Sequence, residues 1–257
     1  MGGFQRQRPT RGLDYKENFN SGVKILLLKA VLFDYDGVLV DSMSYHVEAW
    51  QTVFREVNLE IQPEAVYLTE GSRSIELARN IFSERHLEIT EEELSKFVDK
   101  KQRVYQQITK AKLTDGAEVL ITKLRGERLR IGLVTGSTRF NVQVTLPPPI
   151  LSQFDIIITG DETQNGKPHP EGYLNAARAL RVKPEECLVI ENAPFGIQAA
   201  KNAGMKVAAL TVTLDRTQLD GADFYAKGLS ELNSQWQRLI RVLMDKNKME
   251  IHNEIFN

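Results

Sequence analysis

Residues 30–42 read Ala-Val-Leu-Phe-Asp-Tyr-Asp-Gly-Val-Leu-Val-Asp-Ser, and the rest of the chain is interpreted from this stretch. The apolar run Ala30 to Phe33 predicts a buried strand, and Gly37 permits a sharp turn after it. Asp34 and Asp36 lie two residues apart in an extended chain, so both carboxylates can face one site at the carboxyl end of the strand. Open parallel sheets bind ligands at that end. Two like charges this close need a cation between them or a proton on one of them, and the alternative is a pair of acids at an ordinary turn.

Length and charge narrow the class of protein. The chain has 257 residues with 33 basic and 34 acidic side chains, which gives a net charge of −1. This length allows one large domain, or one domain with a smaller one beside it. The balanced charge does not favour nucleic acid or an anionic membrane as a partner, and no apolar stretch approaches the roughly 20 residues that span a bilayer. The only cysteine is Cys187, which excludes a disulfide within the chain, so we expect a cytoplasmic protein.

The segment 43–112 has the pattern of helices without strands. Val47, Trp50 and Val53 follow the first aspartates at helical spacing, and a second helix is predicted at about 72–86. A third begins at Thr90, where a glutamate three residues on completes a capping box, and it runs to about residue 109. We therefore predict an all-helical domain over 43–112, inserted into another domain.

Beyond residue 115 helices and strands alternate. Such alternation predicts a parallel sheet with helices on both faces, so 29–42 and 113–248 are assigned to one α/β core. Residues 1–28 are expected to form an N-terminal extension and 249–257 a polar tail. The run of prolines at 147–149 predicts a connector that interrupts helix. The predicted elements are strands at 131–135, 154–159, 187–190 and 207–210 and helices at 116–125, 170–180, 194–203 and 230–244.

Three further groups of polar residues follow predicted strands. Thr135-Gly136-Ser137 offers hydroxyls and backbone amides that suit a phosphate oxygen, although such a loop can also be purely structural. Lys167 stands between Gly166 and Pro168 in a stiff turn, where a plain surface lysine is the alternative. Glu191-Asn192 provides oxygen ligands for a hard cation, or else caps the helix that follows.

Taken together, these motifs resemble those of a known family. Asp34-Tyr-Asp36-Gly-Val, Thr135 after a strand, Gly-Lys167-Pro and Glu191-Asn192 resemble, in this order, the four motifs of the haloacid dehalogenase-like superfamily. The similarity extends over about residues 29–232. The helical insert is similar to the α-helical cap of the subgroup that includes β-phosphoglucomutase and phosphoglycolate phosphatase. The resemblance implies an α/β, Rossmann-like parallel-sheet core with an inserted all-helical cap domain.

The resemblance also implies roles for the motif residues. Asp34 would attack phosphorus as the nucleophile, and an aspartyl-phosphate would form. Asp36 would protonate the leaving oxygen and then activate water. Thr135, Gly136 and Lys167 would hold the phosphoryl oxygens, with Lys167 offsetting the negative charge that develops on them.

Magnesium is the cofactor that the resemblance implies. It would lie between Asp34, the backbone carbonyl of Asp36, Glu191 and Asn192. The family usually carries an acid where this chain has Asn192, so one negative charge is missing from the predicted metal site. An amide oxygen can still bind magnesium.

Residues at the cap and beside Thr135 are candidates for substrate contact. His46 matches the position of a histidine that positions the acid/base aspartate in β-phosphoglucomutase, and Arg73 lies in a loop similar to one whose arginine binds the distal phosphate there. Ser137 and Arg139 follow Thr135 and are further candidates. The cap has to open and close, so hinges are predicted at 40–44 and 112–116.

These observations predict a magnesium-dependent phosphatase. Its expected substrate is a small phosphate ester similar to a sugar phosphate, with neither nucleic acid nor membrane as a partner, and the expected state is a monomer or weak dimer. A phosphomutase of the β-phosphoglucomutase type is the alternative. A catalytically weak binding protein on the same fold is a third possibility, because Asn192 departs from the motif.

Overall fold

The structure is a computed structural model that describes residues 28–244. Its core contains one parallel β-sheet. Its six strands lie in the order β3-β2-β1-β4-β5-β6, and every neighbouring pair is parallel. The predicted N-terminal extension, except for Leu28, lies outside the described residues. The same holds for residues 245–248 of the predicted core and for the predicted C-terminal tail. The strands are β1 (Ala30–Phe33), β2 (Arg130–Val134), β3 (Ile156–Ile158), β4 (Cys187–Glu191), β5 (Lys206–Leu210) and β6 (Phe224–Ala226).

Strand β1 lies at the centre of the sheet and is fully buried. Val31 and Phe33 face one apolar layer, and Ala30 and Leu32 face the other, as the two-residue period of a strand requires. A strand covered on both faces has to be apolar throughout, which explains its sequence. The chain order reverses at β1, with β2 on one side and β4 on the other, so the ligand crevice of this sheet is expected beside β1.

Helices cover both faces of the sheet, and the predicted α/β fold class is confirmed. A last stretch of helix, 236–244 (α11), reaches the end of the described residues. The other helices are α1 (Met43–Glu56), α2 (Pro63–Leu68), α3 (Ser74–Glu84), α4 (Glu91–Ile108), α5 (Ala117–Gly126), α6 (Arg139–Thr145), α7 (Pro148–Leu151), α8 (Glu171–Leu180), α9 (Pro194–Asn202) and α10 (Leu229–Ser234).

Helices α1 to α4 pack around an apolar cluster of their own. Rings of Trp50, Phe54 and Phe82 meet at its centre, with centroids 5.6 Å and 5.7 Å apart for successive pairs. The two chain crossings to these helices run side by side, where the Asp41 amide donates to the Lys112 carbonyl at 2.9 Å. The cap boundaries and the hinges at these crossings stay predictions.

Two helix predictions between α1 and α8 were wrong in detail. The helix predicted at 72–86 is α3, and the short α2 before it was missed because only Val66 of its six residues is buried. The proline run does not simply interrupt helix, since α7 begins at Pro148. Proline fits the first turn of a helix, where its missing N–H has no partner to lose.

Two other short elements, α6 and β6, were also missed. Helix α6 has seven residues and is capped by the Thr138 hydroxyl, which accepts from the Asn141 amide at 3.3 Å. Strand β6 is a three-residue edge strand, too short for a clear alternating pattern. The predicted closing helix is divided by a turn at residue 235. Across residues 28–244, no helix combines the length and apolarity needed to cross a membrane.

Candidate active site

The carboxyl ends of three adjacent strands carry the polar residues singled out in the sequence. Asp34 follows β1, Thr135 follows β2, and Glu191 ends β4. The register pairs Phe33 with Leu133 on one side and with Ile190 on the other, so these three polar side chains start from neighbouring positions. The sheet order therefore brings together motifs that lie up to 157 residues apart in the sequence.

Lys167 lies between two buried carboxylates. Its Nζ donates to Asp34 Oδ1 at 2.5 Å and to Glu191 Oε1 at 2.7 Å, and the lysine side chain is only 6% exposed. Burial would lower the pKa of Lys167, but attraction to Asp34 and Glu191 raises it well above the ordinary lysine value. Lys167 therefore stays an ammonium ion, and it is the positive charge that the predicted phosphoryl site requires.

The surroundings of Asp34 disfavour its ionised form. Burial, reinforced by repulsion from Glu191, raises the pKa of Asp34 to about 8, while Lys167 opposes the shift. One ammonium group thus does not fully compensate the two carboxylates. A second cation beside Asp34 would favour its ionised, nucleophilic form.

Glu191 is fixed by several donors. The Tyr173 hydroxyl donates to Oε1 at 2.9 Å, and the backbone amides of Asn192 and Ala193 donate to Oε2 at 2.8 Å and 3.2 Å. These bonds hold a fully buried carboxylate in one orientation beside Lys167.

Asp36 has a different environment from Asp34. Its Oδ1 accepts from the Ser42 hydroxyl at 2.6 Å and lies 3.0 Å from His46 Nε2, and its Oδ2 accepts from the Ser137 hydroxyl at 2.7 Å. Burial raises the pKa of Asp36, but His46 and the two hydroxyls outweigh burial and hold this pKa at about 2. The two aspartates are therefore separated in pKa by their surroundings, which is typical of carboxylates with different catalytic roles.

Lys101, a buried lysine that the sequence analysis did not identify, contacts the ring nitrogen of His46 that does not face Asp36. Lys101 Nζ of α4 lies 2.8 Å from His46 Nδ1, and the histidine ring stacks on Tyr105 with centroids 4.2 Å apart. Burial and the Lys101 charge lower the pKa of His46, against the opposing effect of Asp36. A neutral ring that accepts from Lys101 at Nδ1 carries its proton on Nε2, which then donates to Asp36. The sequence contains one feature that could have indicated this role. Lys101 lies four residues before Tyr105, which places both side chains on the buried side of α4.

The loop after β2 forms the floor of the predicted phosphate site. The Ser137 amide donates to the Thr135 hydroxyl at 2.9 Å, and Thr135 is buried. A cap loop, which we define as residues 69–73, approaches this floor closely, since a Cβ on Gly136 would lie 3.1 Å from the Gly71 carbonyl oxygen. A narrow cavity beside Lys167 is lined by Thr135, Gly136 and Arg73, among others.

Two predicted substrate residues have other partners in this structure. Arg73 lines the narrow cavity, but its Nη1 donates to the Gln164 carbonyl at 3.1 Å, which joins the cap loop to the core. Arg139 forms an ion pair with Glu162 at 2.6 Å and donates to the Ile157 carbonyl at 2.7 Å. Ser137 and His46, in contrast, are brought to Asp36, so the structure joins two of the four substrate candidates to the aspartates.

Asn192 indicates where a metal ion would fit. Both its Oδ1 and its Nδ2 are buried without a hydrogen-bond partner, and leaving a buried polar group unsatisfied costs about 1–3 kcal/mol. Within residues 28–244, no group of three or more His, Cys, Asp or Glu side chains is arranged to hold a metal ion. A site here would instead combine the Asn192 amide oxygen with the carboxylates of Asp34 and Glu191, and oxygen ligands are those that magnesium prefers. The residues therefore fit the predicted cofactor.

Comparisons with known proteins show the family and the fold of the chain. A family model described as haloacid dehalogenase-like hydrolase matches residues 31–210. Over 210 residues the chain is 33% identical to validoxylamine A 7'-phosphate phosphatase of Streptomyces hygroscopicus subsp. limoneus, covering 80% of this chain and 96% of that protein. It is 30% identical over 222 residues to β-phosphoglucomutase of Bacillus subtilis, covering 82% and 96%. The solved structure of β-phosphoglucomutase from Clostridium difficile superposes with a TM-score of 0.74 at 26% identity, covering 84% and 98%.

Proposed function

The chain belongs to the haloacid dehalogenase-like hydrolases, and we propose that it is a magnesium-dependent phosphatase of a small, sugar-phosphate-like monoester. The observation that carries this proposal is the opposite environment of two aspartates two residues apart. Asp34 contacts the Lys167 ammonium group at 2.5 Å, whereas Asp36 is held by hydroxyls and a histidine. One carboxylate is thereby suited to attack and the other to proton transfer.

In the proposed reaction an Asp34 oxygen attacks the phosphorus atom. The bond between phosphorus and the leaving oxygen breaks, and Asp36 passes a proton to that oxygen. Because its neighbours favour the ionised form of Asp36, a proton for this step has to reach it. His46 Nε2 at 3.0 Å can give its proton to Asp36 while Nδ1 takes one from the Lys101 ammonium group at 2.8 Å, so that the ring stays neutral. Asp36 then takes a proton from water, the water oxygen attacks phosphorus, and free phosphate leaves as the Asp34 carboxylate is restored.

Several groups of the chain would support the transferring phosphoryl group. The Lys167 ammonium group would offset negative charge on its oxygens, and the Thr135 hydroxyl and the Gly136 amide would donate to them. Magnesium, held by Asp34, the Asp36 carbonyl, Glu191 and Asn192, would supply further positive charge there. The cap loop at the rim would keep bulk water from the aspartyl-phosphate.

A β-phosphoglucomutase-type activity is the second candidate, because the chain is similar to β-phosphoglucomutases in sequence and in fold. The mutase differs in what accepts the phosphoryl group. A sugar hydroxyl, rather than water, would attack the aspartyl-phosphate, so a bisphosphate activator would be needed to start the cycle.

We expect phosphate release from at least one sugar or polyol monophosphate, and from an aryl phosphate, in the presence of magnesium. Release should fall to background when EDTA replaces magnesium. Free phosphate is measured across a panel of phosphorylated metabolites, and isomerisation of glucose 1-phosphate is measured beside it with and without a bisphosphate. Isomerisation that needs the bisphosphate, without phosphate release, would replace the phosphatase with the mutase. Neither activity on any substrate would leave a catalytically weak binding protein on the same fold as the remaining interpretation.

Asn192→Asp is expected to strengthen magnesium binding about tenfold, which is within the range by which groups around a metal site change affinity. Without magnesium the variant should be less stable than the unaltered protein, because a third carboxylate joins Asp34 and Glu191 in a buried site. Thermal unfolding at increasing magnesium concentrations measures both effects without relying on turnover.

The matched control is Asn80→Asp on the exposed surface of α3. Its unfolding temperature should respond to magnesium as that of the unaltered protein does. An Asn192→Asp variant that also responds in this way would show that Asn192 does not face the metal.

A further inference from the structure

The loop after β2 is held by the turn after β3. We define residues 135–139 as the β2 loop and Gly160–Glu162 as the β3 turn. The Gly160 amide donates to the Ser137 carbonyl at 2.9 Å. A Cβ on Gly160 would overlap the Gly136 carbonyl oxygen, so the two backbones come this close only because this residue is glycine.

Arg139 connects the end of the β2 loop to the β3 turn. Its backbone amide donates to Asp161 Oδ1 at 3.2 Å, and its Nε donates to Glu162 Oε1 at 3.0 Å. Its Nη2 donates to Glu162 Oε1 at 2.7 Å, to Glu162 Oε2 at 2.6 Å and to the Ile157 carbonyl at 2.7 Å. Several charge-assisted bonds from one guanidinium group fix geometry as well as adding attraction. The β2 loop is therefore attached to the β3 turn at both Ser137 and Arg139.

The acceptors on the β3 turn are themselves fixed. The Thr159 hydroxyl donates to Asp161 Oδ1 at 2.6 Å, and the Thr159 amide donates to Glu162 Oε2 at 3.1 Å. Thr159 is fully buried, whereas the side chains of Arg139 and Glu162 are 35% and 42% exposed. Ion pairs with this exposure contribute little to stability. The pair therefore serves mainly to set the position of the β2 loop.

The β2 loop contacts Asp36 through Ser137. The Ser137 hydroxyl donates to Asp36 Oδ2 at 2.7 Å, while Ser42 and His46 contact Oδ1. Contacts to both oxygens fix the rotation of the Asp36 carboxyl group. A displacement of the β2 loop would withdraw Ser137 from Oδ2 and leave that rotation less restricted.

We propose that Arg139 and the β3 turn position Asp36 for proton transfer, by holding Ser137 against its Oδ2 atom. Arg139 is thus a positioning residue and not a substrate contact. The inference rests on the proposed function, in which Asp36 gives a proton to the leaving oxygen. A general acid acts only within hydrogen-bond reach of that oxygen, and a displacement of about 1 Å can lower a rate about 10²-fold.

The test compares two leaving groups within each variant, so that a general loss of activity cancels. A sugar alkoxide needs a proton from the acid in order to leave, whereas p-nitrophenolate leaves without one, so poor proton transfer slows the sugar phosphate selectively. The measured quantity is the ratio of kcat/KM for the best sugar or polyol monophosphate to kcat/KM for p-nitrophenyl phosphate, with magnesium. Hydrolysis of the aspartyl-phosphate does not enter this ratio, because it follows departure of the leaving group.

We expect Arg139→Leu to lower the ratio about tenfold, which is part of the contribution of about 10²–10⁴-fold from a positioned acid. Glu162→Ala should lower it similarly, since it removes the main partner of the arginine. The double variant should fall no further, because both changes release the same loop. Arg139→Lys keeps the positive charge but not the fork of donors, so it should restore part of the ratio.

The matched control is Arg79→Leu on α3. Arg79 is exposed and donates to both carboxylate oxygens of Glu91, at 3.1 Å and 2.8 Å, away from the aspartates. This variant should keep the original ratio. Its thermal unfolding midpoint also shows how much stability the loss of an exposed arginine pair costs.

A ratio that stays unchanged in both Arg139→Leu and Glu162→Ala, whatever the loss on the two substrates, would overturn the positioning role. A fall in Arg139→Leu alone would also overturn it, because Glu162→Ala frees the arginine and leaves a direct contact with substrate possible. If Arg139→Leu does not fold, Glu162→Ala decides, since it only shortens an exposed side chain. Absence of magnesium-dependent phosphate release by the unaltered protein from every substrate, including p-nitrophenyl phosphate, would overturn the proposed function instead.

Discussion

Asp34→Asn is expected to lower phosphate release by a factor on the order of 10⁴ or more, which is typical of removing a nucleophile from an active site. The amide keeps the volume of the carboxylate but cannot attack phosphorus to form the proposed aspartyl-phosphate. The substitution also removes the charge partner of Lys167 at 2.5 Å, while it relieves the repulsion between Asp34 and Glu191. We therefore expect the fold to survive, with loss of turnover as the main effect.

The measurement is kcat/KM with magnesium for the best monophosphate and for an aryl phosphate, together with the thermal unfolding midpoint. Asp99→Asn is the matched control, since Asp99 is exposed on α4; it should retain activity within about twofold, as surface changes away from a site usually do. Activity of Asp34→Asn above a tenth of the original would mean that water attacks phosphorus directly. Asp34 would then be a metal ligand and not the nucleophile.

Lys167→Met is expected to impair both stability and activity. It removes the cation between two buried carboxylates, and breaking a buried ion pair from one side costs about 3–5 kcal/mol. Methionine has a similar length, so loss of packing contributes little. Activity should fall by about 10²–10³-fold, as for the loss of a donor that stabilises a charged transition state.

The loss of stability in Lys167→Met should depend on pH. Without the lysine, the pKa of Asp34 rises further above its unfolded value, so the native state binds more protons than the unfolded state. Asp34 of the unaltered protein loses its proton near its pKa of about 8, whereas the variant keeps this proton to higher pH. The free energy of unfolding of the variant, relative to that of the unaltered protein, should therefore decrease as pH rises from about 7 to 9. Urea unfolding at several pH values, with EDTA present, measures this trend.

Lys96→Met provides the control for the lysine change. Lys96 forms an exposed ion pair with Glu92 at 2.5 Å, and such pairs contribute about 1 kcal/mol or less. A Lys167→Met variant that is no less stable than Lys96→Met would show that Lys167 does not compensate the buried carboxylates. Lost activity with unchanged stability would restrict Lys167 to substrate binding.

The sequence predicted the α/β fold and the meeting of the motifs because both depend on simple rules. Strand β1 is apolar throughout since it is buried on both faces, and a parallel sheet aligns the carboxyl ends of its strands. From those two facts Asp34, Thr135 and Glu191 had to lie near one another. The haloacid dehalogenase-like resemblance is confirmed by the family match over residues 31–210. The short elements α2, α6, α7 and β6 were missed because they offer too few residues for a periodic pattern.

The roles of individual charged side chains were decided by tertiary structure. Lys101 reaches His46 across 55 positions of sequence only because α4 packs on α1. Arg139 pairs with Glu162, and Arg73 binds a core carbonyl, although both had been chosen as substrate residues. A long charged side chain takes its partner from whatever surface lies within its reach, and no local pattern encodes that surface.

The sequence by itself therefore determined the sheet, the order of the motifs and the edge at which they meet. Only the tertiary structure decided which charges compensate one another at that edge, and it added Lys101 to the site. The physical reason is the distance along the sequence over which each property is determined. Strand and helix patterns depend on residues that are close together in the sequence. The charge of a buried carboxylate depends instead on all groups within several ångströms, whatever their position in the sequence.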